Sequence, residues 1–331
     1  MSKIARPYFF LFCSIVVAFG LSAWAETINP YDQRIVMNIG INMILAASLN
    51  LINGFTGQFS LGHAGFMSIG AYGAAIFTTM IAPGMFGEVA GTGMQDATLF
   101  MGLLFGGIIS ALVGILVGIP SLRLKGDYLA IVTLGFGEII RVIIQNIPSL
   151  GGSLGIANIP RYTTFFWVFF IVAIVVFFIQ QLTRSTYGQG FLAVRDDEIA
   201  AEAMGVNTTR YKVEAFVIGA FFAGVAGGLY GHYNELIRPA DFDFLKSVEI
   251  IVMVILGGMG STYGVLFAAA LLTYVPEFLR GFELFDVKFD SFRMSIYSLV
   301  LIILMLTRPQ GLFGGISLKK LIKKEVKLGS P

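Results

Sequence analysis

Long uninterrupted apolar runs, rather than alternating positions, set the pattern of this chain. They lie near residues 8–25, 34–53, 59–82, 98–120, 127–147, 164–183, 213–233, 243–258, 261–279 and 292–307. Crossing a hydrocarbon core of ~30 Å takes ~20 helical residues, so the pattern predicts about ten transmembrane helices. Strands of a membrane barrel would show weak alternation over ~10 residues, whereas these runs are continuous and rich in Leu, Ile, Phe, Ala and Gly. A helix satisfies its own backbone in lipid, and the expected fold is all-α: one polytopic bundle occupying residues 1–331. The segment Leu256-Gly257-Gly258-Met259-Gly260-Ser261 reads either as a turn between two spans or as a break within one.

Charge chooses between those two readings. With Lys3 and Arg6 inside, ten crossings return Arg308, Lys319, Lys320, Lys323, Lys324 and Lys327 to the inside, as the positive-inside rule favours. Both termini are then cytoplasmic, and residues 308–331 form a basic tail suited to orientation and lipid-surface contact. The same assignment places Arg123, Lys125, Arg184, Arg195, Arg210 and Lys212 inside. Glu88, Asp96, Glu235, Asp241 and Asp243 fall outside. About fourteen Lys/Arg are then cytoplasmic against about five external, the exceptions including Arg161, Arg238 and Arg280. Residues 1–25 also fit a signal peptide, ending in Ala23-Trp24-Ala25 before Glu26. Either reading of that segment leaves the other nine spans oriented alike.

Composition narrows the function classes. Of the 331 residues, 56% are hydrophobic and 13% charged, with a mean hydropathy of +0.82. Soluble domains carry ~25% charged residues, so an ordinary soluble enzyme is excluded. A net charge of +2 gives no basic face for nucleic acid. The single cysteine, Cys13, allows neither an intrachain disulfide nor a cysteine metal cluster. No G-x-x-x-x-G-K-[ST], H-E-x-x-H or G-x-S-x-G occurs, and the two histidines, His63 and His232, stand far apart. The chain therefore carries no expected catalytic, cofactor or metal site, and any ATP is hydrolysed elsewhere.

Four constellations remain as candidates. The polar stretch 184–212 contains Arg195, Asp196, Asp197, Glu198, Ile199, Ala200, Ala201, Glu202, Ala203, Met204 and Gly205. Its aspartates suit a helix N-terminus and Gly205 a C′ position, which predicts a helix of about two turns. Ile199, Ala200, Ala203 and Met204 share one face of it, suited to a groove on a partner or to packing on its own bundle. The second constellation is a Gly-broken passage, Asn53, Gly54, Gly57, Gln58, Ser60, Gly62, His63 and Gly65, followed by Tyr72. Such a break either lines a solute path or packs helices closely around a turn. His63 fits a hydrogen-bonded helix end or a proton relay. Third, Glu138 and Arg141 share a helix face three residues apart, as a structural pair, a gate or a counter-ion for a zwitterion, with snorkelling of Arg141 an equal account. Fourth, Gly257, Gly258, Gly260 and Gly264 loosely echo the first cluster, as an inverted repeat would.

The run Arg195–Gly205, followed by Lys212, Ala215-Phe216 and Ala223-Gly224-Val225-Ala226-Gly227-Gly228-Leu229, resembles the LivM-type permease subunit of bacterial branched-chain amino acid ABC importers. Asn53–Phe66 with Ile69–Tyr72, and Tyr128–Arg141, resemble the same family. The likeness extends from about residue 35 to Arg308-Pro309-Gln310-Gly311-Leu312. It implies an inner-membrane permease partnered by a second, LivH-like permease chain, two cytoplasmic ATPases that hold ATP and Mg, and a periplasmic binding protein. It also makes the Arg195–Gly205 segment the candidate coupling element. Related permeases carry urea or short amides, so the solute stays open between these and branched-chain amino acids. An ion-coupled secondary transporter using Glu138, Arg141 and His63, and a passive channel, are the competing classes.

Overall fold

The computed structural model describes residues 29–86, 91–121 and 126–280, with isolated positions on either side. The first and tenth predicted spans, the signal-peptide pattern, the basic tail, Cys13, Glu88, Arg123 and Lys125 lie outside those residues, scattered positions of the two spans excepted.

Helix α1, Pro30–Asn50, starts with proline in its first turn, where a missing N–H costs nothing, and runs on through a π-helical turn, Leu51–Phe55. An extended stretch, 57–62, leads to α2, His63–Ile76, which continues to Phe86 through a second π-helical turn. Then come α3, Thr92–Ser121, α4, Asp127–Gln145, and α5, Phe165–Arg184. Two short helices, α6, Gly188–Asp196, and α7, Glu198–Ala203, precede α8, Thr208–Asn234. The described part ends with α9, Phe244–Gly257, and α10, Thr262–Arg280.

Among the described residues six helices are long and apolar enough to cross a membrane: Pro30–Phe55, His63–Met85, Gly93–Pro120, Tyr128–Gln145, Phe165–Arg184 and Thr208–Asn234. The stretch expected as an eighth span is shorter. At ~1.5 Å per residue, the 14 residues of α9 reach roughly 21 Å, less than the ~30 Å core. The Gly257–Ser261 segment is a turn, not a kink. Asn42 of α1 bonds both Lys246 near the start of α9 and Thr273 far along α10, so the two helices run antiparallel.

Helix α8 forms the centre, packed on α1, α2 and α3. Its contact with α2 and α3 is made by backbone. A Cβ on Gly70 would stand 2.1 Å from the Gly224 Cα, one on Gly106 2.4 Å from the Gly70 oxygen, and one on Gly227 2.0 Å from the Met67 oxygen. Small residues are what allow membrane helices this proximity. Ser110 sits at the junction, its hydroxyl shared between the carbonyls of Phe66 and Ala220 at 2.9 and 2.7 Å. At the far end from α6 and α7, β1, Ile156–Ala157, pairs antiparallel with β2, Leu236–Ile237, in the register Ile156 to Ile237. Two of the cations that stood as exceptions to the charge rule are paired locally there, Arg161 with Glu235 at 4.0 Å and Arg238 with Asp241 at 3.0 Å.

Candidate functional site

The Gly-broken passage is an extended chain that turns back into the protein between α1, α4 and α9. Backbone buried this way needs a partner for every N–H and C=O, and side chains from all three helices supply them. Ser60 N–H donates to Asn53 Oδ1 (3.3 Å), whose Nδ2 donates back to the Ser60 carbonyl (3.5 Å). Leu61 N–H donates to Thr133 Oγ1 of α4 (3.0 Å), and Ala64 N–H, in the first turn of α2, donates to Ser247 Oγ of α9 (3.2 Å). Thr133 and Ser247 were not legible as site residues, since a lone hydroxyl in an apolar run has no pattern to mark it. Gly62 lies so close to α4 that a Cβ would stand 2.3 Å from the Thr133 carbonyl oxygen.

His63 is fully buried at the end of this passage. The Ser48 hydroxyl donates to the Leu45 carbonyl (2.9 Å) and so accepts from His63 Nε2 (2.8 Å), which leaves Nδ1 as the bare acceptor. That nitrogen belongs, among the described residues, to a set of five buried polar side-chain atoms without a hydrogen-bond partner: Asn50 Nδ2, Gln58 Nε2, Ser60 Oγ, His63 Nδ1 and Ser68 Oγ. All five lie in the last turns of α1, in the passage or in the first turns of α2. His232 differs, being satisfied on both nitrogens by the Gly228 carbonyl (2.7 Å) and Thr78 Oγ1 (2.9 Å), and it ties α8 to α2.

The two glycine clusters meet. Gly260 N–H donates to Asn50 Oδ1 (2.9 Å), and a Cβ on Gly54 would stand 2.3 Å from the Gly260 nitrogen. Arg195 closes this junction: its Nη1 donates to the Gly54 carbonyl (3.4 Å), its side chain lies over Gly57, and its guanidinium also pairs with Asp196 (2.8 Å). Gly257 backs onto Val265, and Gly258 and Gly260 hold φ of +92° and +83°, which glycine adopts without strain. So the 184–212 stretch, the end of α1 and the α9–α10 turn are a single assembly at one end of the bundle.

Within that stretch the predicted helix is present one residue later than the first aspartate. Asp196 ends α6, and Asp197 caps α7, its carboxylate accepting from Ile199 N–H (2.9 Å) and Ala200 N–H (3.0 Å). Gly205, φ +85°, terminates the turn after Met204. Ala201 points inward and is buried, and Glu198 pairs with Lys212 of α8 at 2.6 Å. These hold α7 so that Ile199, Ala200, Ala203 and Met204 face outward, with Ile199 75% and Met204 83% exposed. Helix α6 is fixed to α8 by the ring contacts of Tyr187, Phe191 and Tyr211. Tyr187 donates to Glu214. Partial burial and that carboxylate push its phenol up to about 12, so it stays a neutral donor near pH 7.

The remaining candidates lie apart from this assembly. Glu138 and Arg141 of α4 bond to each other at 2.7 Å, half-exposed, on a helix with one face largely uncovered. Tyr72 is buried near the opposite end, its hydroxyl donating to the Ile237 carbonyl (3.4 Å) and its ring against Phe242. No group of three His, Cys, Asp or Glu among the described residues is placed to hold a metal ion.

Six membrane-length helices among the described residues, with a buried extended break and a half-length helix packed among them, define a polytopic helical membrane protein. The chain belongs to the branched-chain amino acid transport system permease family, whose profile matches residues 33–307. It is 34% identical to the high-affinity branched-chain amino acid transport permease LivM of Salmonella typhimurium, over 92% of this chain and 74% of that one. Identity to LivM of Escherichia coli is also 34%, over 88% and 72%. About half of the chain is 29% identical to LivH of Salmonella typhimurium, over 48% of this chain and 49% of that one. Its kinship is thus with LivM-type permeases.

Proposed function

We propose that the chain is one permease subunit of an ATP-binding cassette importer of the bacterial inner membrane, passing branched-chain amino acids inward. A periplasmic binding protein delivers the solute, a LivH-like chain supplies the other half of the pathway, and two cytoplasmic ATPases hold ATP and Mg. The observation that carries this reading is the outward-facing apolar surface of α7, capped by Asp197 and anchored by Ala201 and the Glu198–Lys212 pair. An apolar face held rigidly in water has a use only when a partner covers it. Docked in an ATPase groove, it transmits ATP-driven movement through α6 to α8 and through Arg195 to the end of α1.

The solute path in this reading passes the broken segment, with Asn53, Gly57, Gln58, Ser60, Gly62 and His63 along it. The five unpartnered polar atoms support this, because buried polar groups in native proteins are almost always bonded. Water or solute meets them when the junction of Gly54, Gly260 and Arg195 opens. The Glu138–Arg141 pair is self-satisfied and serves α4 itself.

Affinity purification from the native membrane, followed by mass spectrometry, tests the assignment. Recovery of an ATPase pair and a second permease is expected, and branched-chain amino acids compete with one another for uptake. Import of urea or short amides instead would move the solute class, and ATP-independent, ion-driven uptake by the isolated chain would overturn the importer reading.

A further inference from the structure

Helix α4 is uncovered like a lipid-facing helix but has the composition of a buried one. Only 22% of its span is buried, against 72% in α1 and α2 and 67% in α8. The other two weakly buried helices, α3 and α5, are the most apolar of the six, as contact with lipid requires, whereas α4 is about as polar as the buried α8. Along its middle α3 turns Leu104, Ile108, Leu112 and Ile115 outward. The corresponding part of α4 carries Glu138 and Arg141.

The helical period separates two faces of α4. Ala130, Thr133, Gly137 and Ile144 turn inward: Thr133 bonds the broken passage, and a Cβ on Gly65 would stand 2.9 Å from the Gly137 Cα. Opposite lie Tyr128, Ile131, Gly135, Ile139 and Val142, spaced three or four residues apart. Tyr128 and Ile131 are 72% and 65% exposed. Gly135 stands at the middle of this stripe, and a Cβ built there meets nothing within 4 Å. Glycine inside a helix costs stability relative to alanine, and no contact among the described residues requires it here. In membrane helices a small residue at such a place lets a second helix approach closely.

Glu138 adjoins the same stripe. It lies ten residues beyond Tyr128, roughly 15 Å at ~1.5 Å per residue, which is about half of a ~30 Å core. Arg141, three residues nearer the outer end, turns its guanidinium back onto Glu138, with Nε at 2.8 Å and Nη2 at 2.7 Å, instead of extending toward the headgroups. Ionisable residues at this depth almost always face protein or a water-filled cavity. The pair is neutral as a whole, so it asks no counter-charge of the neighbour that covers it.

We infer that the outward stripe of α4 is the contact surface for the second permease chain, a membrane-spanning helix of which crosses α4 at Gly135. From Tyr128 to Val142 the stripe runs roughly 21 Å along the helix, so its occupant itself lies in the membrane, which excludes ATPases and a binding protein. In the importer reading, on which this inference rests, the LivH-like chain is the partner that does so. The second chain then shields the Glu138–Arg141 pair and stands behind Thr133, and α4 is the common wall of the broken passage and of the interface between the two permeases.

Photocrosslinking in membranes that carry the whole complex tests it. With p-benzoylphenylalanine in place of Ile131 or Val142, irradiation gives an adduct with the second permease, identified by mass spectrometry, while the same group in place of Leu112 on α3 gives none. Adducts of both α4 positions confined to lipid, to this chain itself or to a second copy of it would overturn the interface. Gly135→Leu supplies an independent readout, because no described residue crowds a side chain there. That variant keeps its yield in the membrane but recovers at least fivefold less of the second permease on affinity purification. Recovery equal to that of the unaltered chain would count against the crossing point and overturn it. An unaltered chain that brings down no second permease would overturn the importer reading and the interface with it, whereas recovery of that permease without α4 adducts overturns the interface alone.

Discussion

Thr133 is where a single side chain does most for the architecture. Its hydroxyl receives the Leu61 N–H, one of the donors that an extended chain inside a membrane protein cannot leave unmet. Thr133→Val keeps the shape and removes the acceptor, and the unsatisfied N–H costs ~1–3 kcal/mol. A lower midpoint of thermal unfolding in detergent is the expected result, with Thr133→Ser near the original value. Gly62 fails differently: the Cβ of Gly62→Ala would meet the Thr133 carbonyl at 2.3 Å, against rigid backbone. That variant should lose folded yield on size-exclusion chromatography, and an unchanged profile would mean that the passage yields more than its packing indicates. Arg195 belongs to function more than to stability, being 37% exposed at its side chain yet in contact with both glycine clusters. Arg195→Gln keeps the protein folded and the ATPases bound, but lowers solute-stimulated ATP hydrolysis and uptake severalfold in the reconstituted complex.

At the scale of elements, α7 is too short to persist by its own propensity, since isolated helices need ~12–15 residues even in favourable sequences. Its ends hold it. Removing the cap with Asp197→Ala costs ~0.5–2 kcal/mol of helix stability, and Gly205→Ala forces a Cβ into a left-handed conformation at ~1–2 kcal/mol. Both variants should speed hydrogen exchange of the amides of 198–203 while leaving those of α8 protected. Sequence reading places this helix within one residue because caps are local chemistry: a carboxylate accepts from N–H groups two and three positions on, whatever the rest of the fold does. It does not find which alanine points inward. Ala201 is buried and Ala200 and Ala203 face solvent, because the docking of Glu198 on Lys212 sets the rotation of the helix.

The same limit applies to the whole molecule. The outward face of α7 predicts that Ile199→Asp with Met204→Asp abolishes co-purification of the ATPases while the permease still inserts and folds. Retention of both partners would overturn the coupling assignment. Ala201→Arg is a poorer test, since it would undock the helix from its own bundle. The glycine clusters show how tertiary contact redirects a sequence likeness. Gly54 and Gly260 touch at one end of the bundle, so close backbone approach accounts for glycine in both clusters.

Hydropathy, the charge of loops and helix punctuation determined by themselves that this is a polytopic helical membrane protein, where most of its long helices lie and which segment is capped, while the residue blocks Asn53–Phe66, Tyr128–Arg141 and Arg195–Gly205 carried the likeness to its family. These are legible because each depends on neighbours in sequence or on transfer between water and lipid, which acts on one segment at a time. Tertiary structure alone decided that α9 is half-length, that Thr133 and Ser247 complete the backbone of the broken passage, and that Arg195 joins two distant glycine clusters. Each of these is a contact between residues tens to hundreds of positions apart, and it depends on how helices rotate and stack, which no local pattern encodes.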